Sequence, residues 1–134
     1  KVSKLTRLYR DWTLNYSPEL ELTIPAFAQF TAHMHNEGVL HLDYSPGNIL
    51  WDKINGQYQF EIIDINRMRI GKSVSIRASA KSLRRLCAPT CFFRHFAAEY
   101  APLRGFNVDE FTKLVLFYRD LFWNNGRKAN YQYE

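Results

Sequence analysis

No run of apolar residues in this sequence approaches the roughly 20 that a membrane-spanning helix needs, so no such segment is expected. The first fifteen residues contain no apolar stretch of the kind a secretory leader carries. Cysteine is scarce. Cys87 and Cys91 stand four apart, without the two-residue gap of zinc and redox pairs, and no second pair completes a metal site. They are expected to be buried or half-buried thiols, in keeping with a reducing, cytoplasmic setting. Glycine is thin and scattered, at positions 38, 47, 56, 71, 105 and 126. That spacing excludes a G-x-G-x-x-G phosphate cradle within these 134 residues. Neither an internal repeat nor a low-complexity tract is present.

What is present describes one globular domain. Hydrophobic residues make up 46% of the chain and aromatics 16%, enough for a substantial core. Eighteen basic against thirteen acidic residues leave a net charge of +5, which suits an anionic partner. Nucleic acid is not the expected one, because the basic residues are not interleaved with aromatics on one face. The chain opens on Lys1 rather than Met, and an upstream part is expected.

Periodicity gives the elements. Leu5, Leu8 and Trp12 predict a short helix over residues 2–12, and residues 13–22 read as a loop. Thr23 reads as an N-cap with Pro25 in the first turn of a helix running to about Glu37, which Gly38 stops. Its apolar stripe is Phe27, Phe30 and Met34. Val39-Leu40 leads into a Pro-Gly loop that leaves as a strand at Ile49-Leu50-Trp51. Asn55-Gly56 signals a hairpin, and Tyr58 to Ile63 is the returning strand. Residues 67–77 are a basic loop with a short extended piece. Three helices follow, over about 78–88, about 90–103 with Thr90 as cap, and from Asn107 with Phe111, Leu114, Val115, Tyr118, Leu121 and Phe122 as buried face. The polar tail from Asn124 is expected to fray. The fold class is α+β, mainly helical, with a central β-hairpin.

The chemistry gathers around that hairpin. An antiparallel hairpin sets the start of one strand beside the end of the other. Asn48 therefore falls near Asp64, with Asp43 just beyond. Three oxygen-bearing side chains at one place suit a hard cation whose other ligands come from phosphates. His41-x-Asp43-x4-Asn48, with a strand-terminal Asp sixteen residues after the Asn, is the spacing of a kinase catalytic loop and its metal-binding aspartate.

The stretch Gly38-Val-Leu-His-Leu-Asp-Tyr-Ser-Pro-Gly-Asn-Ile-Leu50 resembles the catalytic loop of small-molecule kinases and of bacterial lipopolysaccharide core kinases. Ile63-Asp-Ile-Asn-Arg-Met-Arg69 is similar to the Kdo/heptose kinase family in particular, as are Leu83-Arg-Arg-Leu86 and Tyr100-Ala101, so the resemblance spans about 24 to 110. It implies a protein-kinase-like C-terminal lobe, residues 1–134 forming one domain. It further implies Asp43 as catalytic base, Asn48 and Asp64 as the Mg²⁺ and nucleotide ligands, and His41 as the brace of the loop. ATP and Mg²⁺ would be the cofactors and a sugar or glycolipid hydroxyl the acceptor. Arg67, Arg69 and Lys72 are candidate contacts for an anionic acceptor, and Arg84 and Arg85 read as solvent-facing charges. The expected place is the cytoplasm, with peripheral contact at the inner face of the inner membrane.

The chain departs from the protein-kinase pattern at several points. Leu42 replaces the arginine before the catalytic aspartate, so switching through an activation-loop phosphate is not expected. Ser45 stands where a lysine is usual, and Asn66 replaces the glycine of D-F-G. No Ala-Pro-Glu motif occurs, and about fifteen residues separate Asp64 from the next helix, which favours a small or glycolipid acceptor over a protein. No strand lysine precedes the loop, so the N-terminal nucleotide-binding lobe is expected to be missing from these residues, and alone they are expected to be inactive. An aminoglycoside- or choline-type kinase and an inactive pseudokinase serving as a binding module remain the rival readings.

Overall fold

A computed structural model describes residues 3–4, 18–71 and 73–124. Strand β1 is Ser3–Lys4 and helix α1 is Pro18–Asn36. Strands β2 (Val39–His41), β3 (Ile49–Ile54), β4 (Gln57–Ile62) and β5 (Met68–Ile70) follow. Helices α2 (Ile76–Ser82), α3 (Thr90–Arg104) and α4 (Val108–Phe122) complete the order, with a 3₁₀ turn at Leu83–Leu86. The chain is mostly helical, and the described residues form two small antiparallel sheets, one ordered β1-β3-β4 and one pairing β2 with β5.

Helix α1 starts within the stretch read as a loop. Pro18 opens it, and Glu19 and Glu21 in the first turn complement the positive end of the helix dipole. Thr23 does not cap; its hydroxyl donates backward to the Leu20 carbonyl at 2.6 Å. Leu20 and Ile24 extend the buried stripe one turn before Phe27, which is the packing reason for the earlier start. Gly38, at φ 82°, ends the helix as its sequence position suggests. The predicted helix over 2–12 meets a strand instead at Ser3–Lys4, which pairs with Trp51 and Leu50; its remaining residues lie outside the described ones, as does the tail from 125.

The hairpin forms in the register that its turn dictates. Asn55 and Gly56 both take positive φ (53° and 79°), the signature of a type I′ turn. Ile54 pairs with Gln57 and Ile49 with Ile62. The extended piece in the basic segment is β5, whose Met68 and Arg69 pair with His41 and Leu40.

The three later helices follow local signals with small shifts. The Ser75 hydroxyl accepts from the Ala78 N–H (3.1 Å), so α2 begins at Ile76 and hands over to a 3₁₀ turn after Ser82. Thr90 lies inside α3, with Pro89 at the capping position. Asn107 caps α4 as expected, its side chain accepting from the Glu110 N–H at 2.9 Å. On α4, Phe111 and Val115 are buried while Leu121 is exposed; Arg119 is buried in its stead, donating to Thr90 Oγ1 at 2.9 Å. Cys91 is exposed, not buried, because it lies on the outward side of α3 beside Phe92 and Phe93, which face inward.

A chain of aromatic ring contacts joins the helices. Phe27 of α1 meets Phe96 of α3 at 5.6 Å, Phe96 meets Tyr100 at 5.2 Å, and Tyr100 meets Phe111 of α4 at 4.8 Å, all essentially without exposure. A polar network runs along the edge of this core. His35 Nδ1 bonds the Tyr100 hydroxyl, and Arg104 Nη1 donates to that same hydroxyl. Burial, reinforced by the Arg104 charge, lowers the His35 pKa to about 3. An unfolded histidine binds its proton near 6.5. His35 therefore lends its full contribution above about pH 6.5, and that contribution is lost as pH falls towards 3, by up to about 1.4 kcal/mol per pH unit. Urea unfolding of the natural protein and of His35→Gln between about pH 4.5 and 6.5 measures this: the natural curve is the steeper one, and parallel curves overturn the assignment.

Candidate active site

Strand β2 ends at His41 and delivers the catalytic-type loop. The Asp43 backbone N–H donates to His41 Nδ1 at 3.0 Å. Nδ1 therefore carries no proton, and Nε2 donates to the Ile63 carbonyl at 2.9 Å. One buried imidazole thus ties the loop to the end of β4. The Leu42 N–H donates to the Arg67 carbonyl (2.7 Å), adding a tie to the segment before β5.

Tyr44 fixes the loop from beneath. It is 1% exposed and stacks on Phe27 at 5.9 Å. Thr31 Oγ1 donates to the Phe27 carbonyl, so the Tyr44 hydroxyl is the donor in its 2.8 Å bond to Thr31. Burial raises the Tyr44 phenol pKa, which keeps that donor protonated. Nothing in the spacing of the motif marks Tyr44; a large aromatic inside a polar Pro-Gly loop is the signal that sequence reading passed over.

Asp43, Asn48 and Asp64 come to one end of the hairpin. Asn48 Nδ2 donates to the Asp43 carbonyl at 2.9 Å and to its carboxylate Oδ2 at 3.3 Å. The Ile63 N–H donates to the Asn48 carbonyl (2.9 Å), continuing the β3–β4 ladder and setting Asp64 one residue further on. Asp64 takes a left-handed backbone (φ 64°, ψ 56°) and opens the 3₁₀ turn Ile65–Arg67. Aspartate tolerates that conformation better than most residues. Asn66 keeps a negative φ, so the glycine usual at this position in protein kinases is not needed here.

Among the described residues, no group of three His, Cys, Asp or Glu is placed to hold a metal ion. Asn48 and Asp64 nevertheless suit a hard cation that takes its other ligands from phosphates. Asn48 commits its amide nitrogen to Asp43, which leaves Oδ1 as an acceptor. The Asp64 carboxylate is exposed and pairs with neither Arg67 nor Arg69.

The basic residues divide. Arg67 and Arg69 line a cavity of about 380 Å³ beside the loop, whereas Arg77 is exposed on α2 away from it and Lys72 lies outside the described residues. Arg84 and Arg85 are not the solvent-facing pair that their sequence suggests. They line the same cavity half-buried, over the Phe122 ring at 6.0 and 5.2 Å, and Arg85 Nε stands 3.8 Å from Asp43 Oδ1. Only packing of the 3₁₀ turn against α4 turns them inward.

A family model described as "Lipopolysaccharide kinase (Kdo/WaaP) family" matches residues 1–100 of the 134. The chain belongs to the lipopolysaccharide kinase family. Among solved structures, one titled "WaaP in complex with acyl carrier protein" shares the fold with a TM-score of 0.70 at 17% identity. The match covers 97% of this chain and 58% of that one, so the chain spans rather more than half the length of the WaaP structure. No curated protein sequence matches it. In this lipopolysaccharide-kinase-family chain, the kinase-like lobe is thus the mainly helical body with the small sheets set into it. No described helix is long and apolar enough to cross a membrane.

Proposed function

We propose that this chain is the C-terminal lobe of an ATP-dependent kinase that phosphorylates a sugar hydroxyl of the lipopolysaccharide core, with Kdo-bearing lipid A as acceptor. The observation that carries the reading is the Asp43–Asn48 pair, held by hydrogen bonds beside an uncommitted Asp64 at one end of the hairpin. An N-terminal lobe, with a nucleotide cover and a lysine for the phosphates, would complete the ATP site; the 58% span on the WaaP structure supports a further lobe in the whole protein.

In this mechanism Asp43 receives the acceptor hydroxyl, orients it and accepts its proton at a carboxylate oxygen. Asn48 holds the Asp43 carboxylate in one orientation, and His41 and Tyr44 keep the loop from shifting under it. Asn48 Oδ1 and Asp64 would hold Mg²⁺, which when bound neutralises charge on the nucleotide phosphates. Arg67 and Arg69 would face the acceptor's carboxylate or phosphate, and Lys72 is a third candidate by its sequence position alone. A glycolipid acceptor places the reaction at the cytoplasmic face of the inner membrane, where the +5 charge favours contact with anionic headgroups.

The deciding experiment follows labelled phosphate from Mg-ATP to a Kdo-containing lipid A precursor, using the protein with both lobes. Transfer is the expected result. Transfer to aminoglycosides or choline instead overturns the acceptor, and absence of both transfer and nucleotide binding favours a pseudokinase. In the same assay, Asp64→Asn raises the Mg²⁺ concentration for half-maximal transfer by about tenfold or more; an unchanged Mg²⁺ dependence removes Asp64 from the metal site.

A further inference from the structure

The cavity beside the catalytic loop carries more charge than Arg67 and Arg69 alone bring to it. Lys81, Arg84 and Arg85 line it as well, so five cations border one space of about 380 Å³. Among the described residues, the carboxylate that reaches this cluster is Asp43, at 3.8 Å from Arg85 Nε. That distance is too long for a hydrogen bond, and Arg85 Nε is buried without a hydrogen-bond partner. Burial and the Arg85 charge both disfavour the charged form of Arg84, as expected where like charges gather. The Phe122 ring beneath both guanidinium groups and the Arg84 bond to the Lys81 carbonyl (3.0 Å) limit their freedom to swing out to water.

Five cations that share one neighbouring carboxylate around a concave space suit an anion. We infer that this cavity is an oxyanion subsite, taking a phosphate monoester or carboxylate carried by the acceptor, with Lys81, Arg84 and Arg85 among the cations that hold it. The word acceptor rests on the kinase reading above; the anion does not. The volume falls within the range of small-molecule sites and is too large for a bare ion, so the anion enters with part of the molecule that bears it. The subsite also shares its frame with the reacting group. Leu42 lines the cavity and is bonded through its N–H to Arg67, and Asp43 is the next residue. An acceptor anchored by its anionic group would therefore present a hydroxyl to Asp43 at a fixed reach.

The test begins with inorganic phosphate, titrated calorimetrically into the two-lobed protein without magnesium or nucleotide. Saturable binding is expected, weakened at least about tenfold in Lys81→Gln/Arg84→Gln and unaltered in Lys113→Gln, which removes an exposed charge outside the cavity. Lys81→Gln alone, an exposed position, gives a smaller loss in the same direction and guards against a folding defect in the double variant. Absence of saturable binding, or equal binding by all variants, overturns the subsite. The second arm measures transfer. The double variant raises KM for the natural acidic acceptor and leaves KM unaltered for an acceptor with its carboxylate reduced and its phosphates removed. If phosphate binding needs Lys81 and Arg84 but neither KM responds, the site holds free phosphate and its assignment to the acceptor is wrong. If the natural protein transfers to no sugar at all, the kinase reading fails while the phosphate titration still decides the cavity.

Discussion

Asp43→Asn, made in the two-lobed protein, lowers the rate of phosphoryl transfer by about 100-fold or more while Mg-ATP binding survives. The substitution keeps the shape of the side chain and an oxygen for the Asn48 amide, whose bond to Asp43 Oδ2 spans 3.3 Å. It removes the group that accepts the acceptor's proton. The backbone bonds that hold the loop do not pass through the carboxylate: the Asp43 N–H still meets His41, and the Asp43 carbonyl still meets Asn48. A fall in rate is therefore chemical in origin, provided that a melting curve shows the fold retained. A rate within about threefold of the natural protein would reduce Asp43 to a loop residue, because loss of a transition-state interaction shows in kcat and kcat/KM together.

Arg104→Ala lowers stability by about 3–4 kcal/mol, close to the upper end for a single substitution. The guanidinium of Arg104 joins four parts of the chain. It donates to Asn36 Oδ1 at the end of α1 (2.7 Å), to Ser79 Oγ in α2 (2.9 Å), to the Val74 carbonyl before α2 (2.6 Å) and to the Tyr100 hydroxyl. The Phe106 ring lies 4.7 Å from its centre. Truncation takes a charged donor from Val74, Ser79 and Tyr100, all buried, of which Tyr100 keeps its bond to His35, and hydrogen bonds to a charged donor are worth more than neutral ones. Arg94→Ala is the control: Arg94 is exposed on the same helix and its removal changes stability by less than about 0.5 kcal/mol. Denaturant unfolding of the three proteins gives the comparison. Equal midpoints for Arg104→Ala and the natural protein would mean that solvent replaces the lost bonds.

Local signals in the sequence carried much of the fold. Asn55-Gly56 fixed a hairpin because two successive positive φ angles are cheap there, and Asn107 opened α4 because its side chain satisfies a free backbone N–H. The H-x-D-x4-N spacing and the strand-terminal Asp64 marked the candidate site because both are tied to that hairpin. Helix α1 starts earlier than Thr23 and Pro25 predict, although the two look like a cap and a first turn. Burial of Leu20 and Ile24 against the body of the protein outweighs that local preference.

What the sequence alone determined, then, is what acts over a few residues: helix periodicity, turn chemistry, caps, and the motif whose two halves one hairpin brings together. The tertiary structure decided which distant charges share a space. Arg67 and Arg69 reach the cavity because β5 pairs with β2, while Lys81, Arg84 and Arg85 reach it from a turn packed on α4. The Arg104 junction likewise joins residues 36, 74, 79 and 100. Such convergence leaves no period in the chain, because it depends on how whole elements bury their apolar faces. The direction of an arginine follows from that packing and not from its neighbours in sequence.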